Sequence, residues 1–365
     1  MHVPFVNLTI QFAELEEELV QAFRRIGHTG QYIMGPEVEA FEAALANLCE
    51  TKHAITVGNG TDALELILRG YNIGKSDEVI TAPNSFIASA GAISAVGATP
   101  VFVDVQDDLN LDPKLLLKAI GPKTKAIIPV HLTGNPADMD AILSIAKLHN
   151  LKVIEDAAQA IGAKYKGKMV GSLGHAAAFS LHPLKNFHLL GDAGFISTND
   201  DDLANTIKKL QNHGLINRDE SAVWGRNSRL DAMQAAFGLI KLKYLSKWTL
   251  RFQEIAAIYT RELIGVVNCP ISAEDNDAVF HNYVIQVDNR SQLMAFLDDN
   301  NIGSKIHYPI PLHLMACSHD LGYKKGCFVK TELQSKRIMS LPIYPELTDD
   351  QVYYVCKKIR EFYAE

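Results

Sequence analysis

Lys185 is the residue of this sequence whose surroundings most clearly indicate a role in chemistry. It follows an apolar run and Pro183, and it precedes a turn that contains Gly191 and Gly194. A lysine in such a loop can be held with its amine partly desolvated, which lowers its pKa and makes it a nucleophile toward aldehydes. The alternative is a solvated loop lysine, one of the 35 Lys and Arg residues of the chain. The residues that follow other predicted strands decide between the two interpretations.

Four features match the needs of an aldehyde cofactor that carries a phosphate and a pyridine ring. Such a cofactor needs a lysine for a Schiff base, an acid for the ring nitrogen, a phosphate cup and a flat apolar surface. The sequence offers Lys185, Asp156, the 58–61 turn with Ser180, and Phe86. Each feature has a plainer explanation, namely a helix cap for Asp156, a core aromatic and an ordinary strand-end hydroxyl. Their occurrence in one order, after strands of one predicted sheet, favours a shared site.

The elements that position these residues alternate between strands and helices. Nearly continuous apolar runs predict buried strands within 53–57, 77–84, 99–105, 124–130, 151–155, 177–181 and 195–196. Helical spacing or composition predicts helices at 12–26, 36–49, from about 61, and at 86–96, 112–120, 138–149 and 201–214. This alternation predicts an α/β domain with a mostly parallel, seven-stranded sheet between helices. Ligands of such sheets bind at the carboxyl ends of the strands.

The C-terminal part of the sequence predicts a smaller α/β domain. A helix begins near Leu230 and is expected to continue to about Leu263, and further elements follow, with a strand at 279–287 and helices at 291–300 and 348–363. We therefore expect a large domain at 1–245 and a small domain at 246–365. The first residues of the chain are free to pack on the small domain.

Composition and charge exclude several classes of function. The net charge of the 365-residue chain is −7, and no basic run is typical of a nucleic-acid arm or a membrane-surface helix. No signal peptide and no apolar run of membrane-spanning length is found. The five cysteines are scattered, without a CxxC pair. We expect reduced thiols in a cytoplasmic protein, with neither disulfides nor metal.

Beyond these patterns, the sequence resembles the DegT/StrS family of pyridoxal-phosphate sugar aminotransferases, which have the aspartate-aminotransferase fold, fold type I. The resemblance runs through nearly the whole chain. It is carried by segments 32–42 (YIMGPEVEAFE), 58–64 (GNGTDAL), 83–89 (PNSFIAS), 97–104 (GATPVFVD), 155–160 (EDAAQA), 179–186 (FSLHPLKN), 191–194 (GDAG), 307–313 (HYPIPLH) and 340–346 (SLPIYPE). Many members have a second glycine where this chain has Ala193. Relatives that act as dehydratases have histidine at the position of Lys185.

The resemblance implies a role for each residue around the cofactor, pyridoxal 5'-phosphate. Lys185 would hold it as a Schiff base and then move a proton as general acid and base. Asp156 would pair with the ring nitrogen, and Gln159 would hydrogen-bond to the ring hydroxyl oxygen. Phe86 would stack on the ring.

The resemblance also implies how the phosphate is bound. Backbone groups of Gly60 and Thr61, together with Ser180, would hold it. Asn227 matches the position that reaches the phosphate of the neighbouring subunit, which implies a homodimer with two shared active sites. His307 and Tyr308 would line the sugar pocket.

The function implied is transfer of an amino group from L-glutamate to a keto-deoxysugar linked to a nucleotide diphosphate (dTDP, UDP or GDP). The product would be an aminodeoxysugar for a polysaccharide or a glycosylated metabolite. Two alternatives stay open. One is amination of a keto-cyclitol. The other is a non-catalytic regulator that binds the cofactor, although this sequence lacks a DNA-binding extension.

Overall fold

The computed structural model describes residues 1–364, and twelve strands are found in this range. They are β1 (His53–Val57), β2 (Glu78–Thr81), β3 (Thr99–Phe102), β4 (Thr124–Ile128), β5 (Lys152–Asp156), β6 (Lys164–Tyr165), β7 (Lys168–Met169), β8 (Ala176–Ser180), β9 (Gly194–Thr198), β10 (Asn276–Asp277), β11 (Tyr283–Gln286) and β12 (Ile338–Leu341). Seven of them form one sheet in the order β1-β9-β8-β5-β4-β2-β3. Only β9 runs antiparallel to its neighbours in this sheet, so the predicted, mostly parallel seven-stranded sheet is confirmed.

Twelve α-helices are found in the same range. They are α1 (Leu8–Thr29), α2 (Pro36–Leu48), α3 (Gly60–Gly70), α4 (Ile87–Ala95), α5 (Pro113–Ala119), α6 (Met139–Leu148), α7 (Asp201–Leu210), α8 (Ala232–Leu242), α9 (Leu245–Leu263), α10 (Arg290–Asp299), α11 (Val329–Arg337) and α12 (Asp349–Ala364). Three short 3-10 helices lie at Leu132–Gly134, Leu312–Leu314 and Ala316–Leu321. No helix within residues 1–364 is both long and apolar enough to cross a membrane.

The central sheet lies between two helical layers because successive side chains of a strand point to opposite faces. In β8, Ala176 and Ala178 join a core with α3, α4 and α7. The alternate residues Ala177 and Phe179 join the core on the other face, which includes α1, α2 and α8. Both faces are covered, and this explains why the strand is apolar throughout.

A separate core lies in the C-terminal part of the chain. It contains residues of β11, β12, α10 and α12, together with the part of α9 from Phe252 onward and Val3. The Val3 amide donates to the carbonyl of Asn301 at 2.9 Å. Leu245 and Trp248, at the start of α9, belong instead to the core of the large sheet. We retain the division into 1–245 and 246–365 as a proposal.

The prediction of one uninterrupted helix from Leu230 to about Leu263 is wrong in one respect. It is divided into α8 and α9 by a break at residues 243–244. Tyr244, at the break, donates its hydroxyl to Glu18 of α1 at 2.8 Å and stacks on Trp248. Contacts distant in sequence accompany the break, and helical periodicity does not encode them.

Candidate active site

The loop that carries Lys185 is held by backbone hydrogen bonds between β8 and β9. The Leu181 amide donates to Ala193, and the Leu189 amide donates back to Leu181. Within the loop, a ring nitrogen of His188 donates to the carbonyl of Lys185 at 3.1 Å. The Lys185 side chain is half-buried. These contacts hold the backbone of Lys185 in place between the two strands.

Burial lowers the pKa of Lys185 to about 8, and the neighbouring carboxylate of Asp156 opposes this effect. Asp156 ends β5 and is 6% exposed. Ser89 donates its hydroxyl to one carboxylate oxygen, Oδ2, at 2.6 Å, and the amide of Ala158 donates to Oδ1 at 3.3 Å. A turn follows β5, so the alternative in which Asp156 caps a helix is wrong.

Gln159, Tyr308 and Phe86 form a second group beside Asp156. The amide of Thr133 donates to Gln159 Oε1 at 2.6 Å, and Gln159 Nε2 donates to the Tyr308 hydroxyl at 3.4 Å. The Tyr308 and Phe86 rings are 5.6 Å apart. Phe86 is 52% exposed, so its interpretation as a core aromatic is wrong. Burial raises the pKa of Tyr308 to about 12, with a further contribution from Asp156.

Two histidines lie on the same side as Lys185. His307 shares a 2.8 Å hydrogen bond between its Nδ1 and the hydroxyl of Ser340, and burial, then the charge of Lys185, lowers its pKa to about 4. The pKa of His281 is also lowered, first by burial and then by Lys185 and His307. His281 was not predicted from the sequence. A polar residue inside the apolar 279–287 run was the signal that could have identified it.

The 58–61 turn forms the opposite end of the site. Asn59 caps α3 by accepting from the Asp62 amide at 2.8 Å, which leaves other amides of the first turn without a helical partner. A Cβ atom added at Gly60 would lie 2.9 Å from the Cβ of Ser180. The turn and the end of β8 thus approach each other so closely that glycine is required. The backbone here forms a cradle suited to an anion.

The segment that contains Asn227 is fastened to the same turn. Ser228 accepts from the Gly58 amide at 3.0 Å and donates to Asp62 at 2.6 Å. Arg226 forms ion pairs with Asp62 and Glu65. Asn227 itself lies between these anchors with its side chain exposed. Asn227 thus follows the anchored segment beside the 58–61 turn, and its role toward a neighbouring subunit stays a prediction.

Comparisons with known proteins agree with this geometry. The sequence matches the DegT/DnrJ/EryC1/StrS aminotransferase family over residues 13–360. The chain is 45% identical to the "Pleiotropic regulatory protein" of Geobacillus stearothermophilus, over 100% of this chain and 99% of that protein. It is 42% identical to "dTDP-3-amino-3,4,6-trideoxy-alpha-D-glucose transaminase" of Streptomyces venezuelae, over 99% of this chain and 96% of that protein.

Among solved structures, the crystal structure of S. venezuelae DesV in complex with a ketimine intermediate superposes with a TM-score of 0.98. It is 42% identical and covers 100% of this chain and 99% of that one. The chain therefore belongs to the DegT/DnrJ/EryC1/StrS aminotransferase family, whose members depend on pyridoxal phosphate. The predicted family, fold type and enzyme class are confirmed.

Proposed function

We propose that this aminotransferase binds pyridoxal 5'-phosphate covalently through Lys185 and aminates the keto group of a deoxysugar linked to a nucleotide diphosphate. The observation that carries the proposal is the placement of Lys185. Its amine has a lowered pKa and faces the carboxylate of Asp156 at the carboxyl ends of two neighbouring parallel strands.

The residues around Lys185 fit the cofactor. Gly60 lets the first turn of α3 approach Ser180 closely, so that backbone amides and the Ser180 hydroxyl could bind one phosphate. Phe86 offers an exposed aromatic face, and Asp156 offers a buried carboxylate to a ring nitrogen. When bound, the cofactor supplies an electron sink for the reaction.

The chain itself supplies binding and proton transfer. Because its pKa is near 8, Lys185 is partly neutral at physiological pH, and its amine can attack an aldehyde carbon or accept a proton. Asp156 keeps the ring nitrogen protonated, and Gln159 binds the ring hydroxyl oxygen. Backbone amides at Gly60 and Thr61, with Ser180, hold the phosphate.

The acceptor proposal rests on the pocket and on the relatives. His307 and Tyr308 lie close enough to Lys185 and Asp156, respectively, for these charges to shift their pKa values, which supports a place for both residues in the acceptor pocket. The S. venezuelae relative has a dTDP-aminosugar in its name. A few contacts decide specificity in such pockets, so dTDP, UDP and GDP sugars are all candidates for this chain. L-Glutamate is the proposed amino donor.

We further propose a homodimer with two shared active sites, located in the cytoplasm. Residues 32–34 and Trp224 expose apolar side chains, and Trp224 is 97% exposed. Exposed apolar residues of this kind are typical of interfaces. Trp224 lies three residues before Asn227, the residue proposed to reach the partner's phosphate. The five cysteines are free, which agrees with a reducing compartment.

The alternative of a non-catalytic regulator has one supporting observation, the regulatory name of the G. stearothermophilus relative. A regulator that only binds the cofactor does not need amino-group transfer. The two functions therefore differ in what happens after the cofactor is bound.

The decisive experiment is a visible absorption spectrum of the protein with pyridoxal phosphate, before and after L-glutamate. We expect a cofactor band that is lost with glutamate and returns with 2-oxoglutarate. A band that ignores several amino donors would favour the regulator. Turnover of keto-cyclitols, but not of nucleotide ketosugars, would contradict the proposed acceptor.

A further inference from the structure

Beyond the residues that would touch the cofactor, we propose that Ser89 is a positioning residue for Asp156. Its hydroxyl fixes the orientation of the carboxylate and thereby the strength of the contact between Asp156 and the cofactor ring nitrogen. This inference rests on the proposed function and deepens it.

The hydrogen bond between the two residues is short and buried from solvent. Ser89 is 1% exposed, and its Oγ lies 2.6 Å from Asp156 Oδ2. A hydrogen bond from a hydroxyl to a carboxylate in this distance range is charge-assisted and stronger than a neutral one. Ser89 and Asp156 are 67 residues apart in the chain, so the bond joins α4 to the end of β5.

The direction of the hydrogen bond follows from the donor inventory. An ionised carboxylate can only accept, so the single hydrogen of the Ser89 hydroxyl points to Asp156. Ser85, also buried, lies with its Oγ 3.0 Å from Ser89 Oγ and 3.1 Å from the carbonyl of Phe86. Ser85 can therefore donate to Ser89 or to the carbonyl of Phe86, and neither of these hydrogen bonds reaches Asp156.

Two donors from different elements together fix the carboxylate plane. Ser89 holds Oδ2 from α4, and the Ala158 amide holds Oδ1 from the turn after β5. Each oxygen keeps a further lone pair for the cofactor. Phe86 caps the start of α4, three residues before Ser89. One helix start thus positions both the aromatic face and the acid.

Removal of the Ser89 hydroxyl has predictable consequences. The Asp156 carboxylate would lose one of its two hydrogen-bond donors and would be free to rotate away from the cofactor ring nitrogen. The ring nitrogen of the cofactor would then carry less positive charge. Since that charge disfavours a second proton nearby on the cofactor, the pH at which the bound cofactor changes colour should rise.

The test uses Ser89→Ala, Ser89→Thr and, as a matched control, Ser197→Ala. Ser197 is also buried and donates its hydroxyl at 2.6 Å, but to the carbonyl of Gly171. The measurements are the Kd of apoprotein for pyridoxal phosphate and the pH midpoint of the visible absorption change. We expect Ser89→Ala to weaken binding about tenfold and to raise the midpoint. Ser89→Thr, which keeps the hydroxyl, should restore both quantities, and Ser197→Ala should change neither.

The outcomes separate this inference from the proposed function. Unchanged binding and an unchanged midpoint in Ser89→Ala would overturn the role of Ser89 while leaving Lys185 as the cofactor residue. Equal changes in Ser89→Ala and Ser197→Ala would also overturn it, because they would indicate a general loss of packing. If Ser89→Ala does not fold, Ser89→Cys keeps the volume with a weak donor, and wild-type values in that variant would contradict the inference. A wild-type protein that binds no cofactor would overturn both proposals.

Discussion

Lys185 and Lys241 are two lysines with lowered pKa, the first in the loop between β8 and β9 and the second in α8. Burial is the main cause in both, and it lowers the pKa to about 8 for Lys185 and to about 7 for Lys241. A carboxylate opposes the effect in each case, Asp156 for the first and Glu346 for the second. By pKa alone, Lys241 would be the stronger candidate for a nucleophile at neutral pH.

The surroundings of the two amines differ. Lys185 is half-buried and faces Asp156, with His307 nearby. Lys241 is only 2% exposed, in α8, with its amine 5.9 Å from the ring centre of Trp248. A lowered pKa therefore shows only that a lysine is buried. To react, the lysine must also be accessible to a ligand and lie beside groups that complement the reaction.

The largest effect is expected when each lysine is removed in turn. Lys185→Ala should lower the rate of amino transfer by at least about a thousandfold, because the covalent attachment and the proton carrier are both lost. Lys241→Met should stay close to the wild-type rate. Steady-state assays with L-glutamate and a nucleotide ketosugar, with circular dichroism as the control for folding, measure both. Comparable losses in the two variants would remove the distinction between the lysines.

The pH dependence of cofactor capture tests the environment of Lys185 directly. Only the neutral amine attacks an aldehyde, so the rate at which apoprotein captures pyridoxal phosphate should level off above about pH 8. Well below this value the rate should fall about tenfold per pH unit, and between pH 8 and pH 6 it should fall about fiftyfold. Stopped-flow absorbance gives the rate. A rate that still rises tenfold per unit above pH 9 would mean that the amine is solvated.

Lys241 should affect the pH dependence of the free energy of unfolding. Its folded-state pKa, about 7, lies below the ordinary value of 10.5, so the unfolded chain binds more protons between these two pH values. Wild-type stability should therefore rise with pH across this window, and the full cost of the buried charge is present below about pH 7. Lys241→Met should raise the free energy of unfolding by on the order of 2 kcal/mol at pH 6.

Urea unfolding at pH 6 and at pH 10 measures this gain, which should shrink at the higher pH. The exposed Lys247, in α9, provides the control, since Lys247→Met should change stability little at either pH. A gain at pH 10 as large as the gain at pH 6 would show that desolvated charge is not the cause.

The sequence predicted one member of this comparison and missed the other, for a physical reason. Apolar runs at 151–155 and 177–181 located β5 and β8 to within a residue, and the chemical residues follow these strands directly. Lys241 lies near the end of an apolar helix that is itself a sign of burial, but the local pattern does not show which residues surround its amine. Its surroundings come from α1, from the loop that carries Lys185 and from Glu346, all far away in sequence.

Ser89 was missed for the same reason. The 86–96 helix was predicted, but helical spacing does not say that Ser89 points at an acid 67 residues further along the chain. The break between α8 and α9 likewise coincides with the contact of Tyr244 with Glu18. Local patterns thus predict elements and the residues at their ends, while pairs made by packing need the structure.

The smallest effect is expected from a substitution in the 58–61 turn, which changes the proposed phosphate site and leaves both lysines in place. In Gly60→Ala, the new Cβ would lie 2.9 Å from the Cβ of Ser180, so the turn must move away from β8. We expect the Kd for pyridoxal phosphate to rise about tenfold, or about 1.4 kcal/mol, measured by titration of the apoprotein. Gly91→Ala, in α4, is the matched control because its Cβ meets nothing within 4 Å.

Gly91→Ala should leave binding unchanged and stabilise the fold by about 0.5–1 kcal/mol, the usual gain of alanine over glycine within a helix. If Gly60→Ala behaved in the same way, the turn would have no part in cofactor binding, and the phosphate site proposed at residues 58–61 would be wrong. If only Gly60→Ala weakens binding, the pocket of Lys185 is defined from its phosphate end as well.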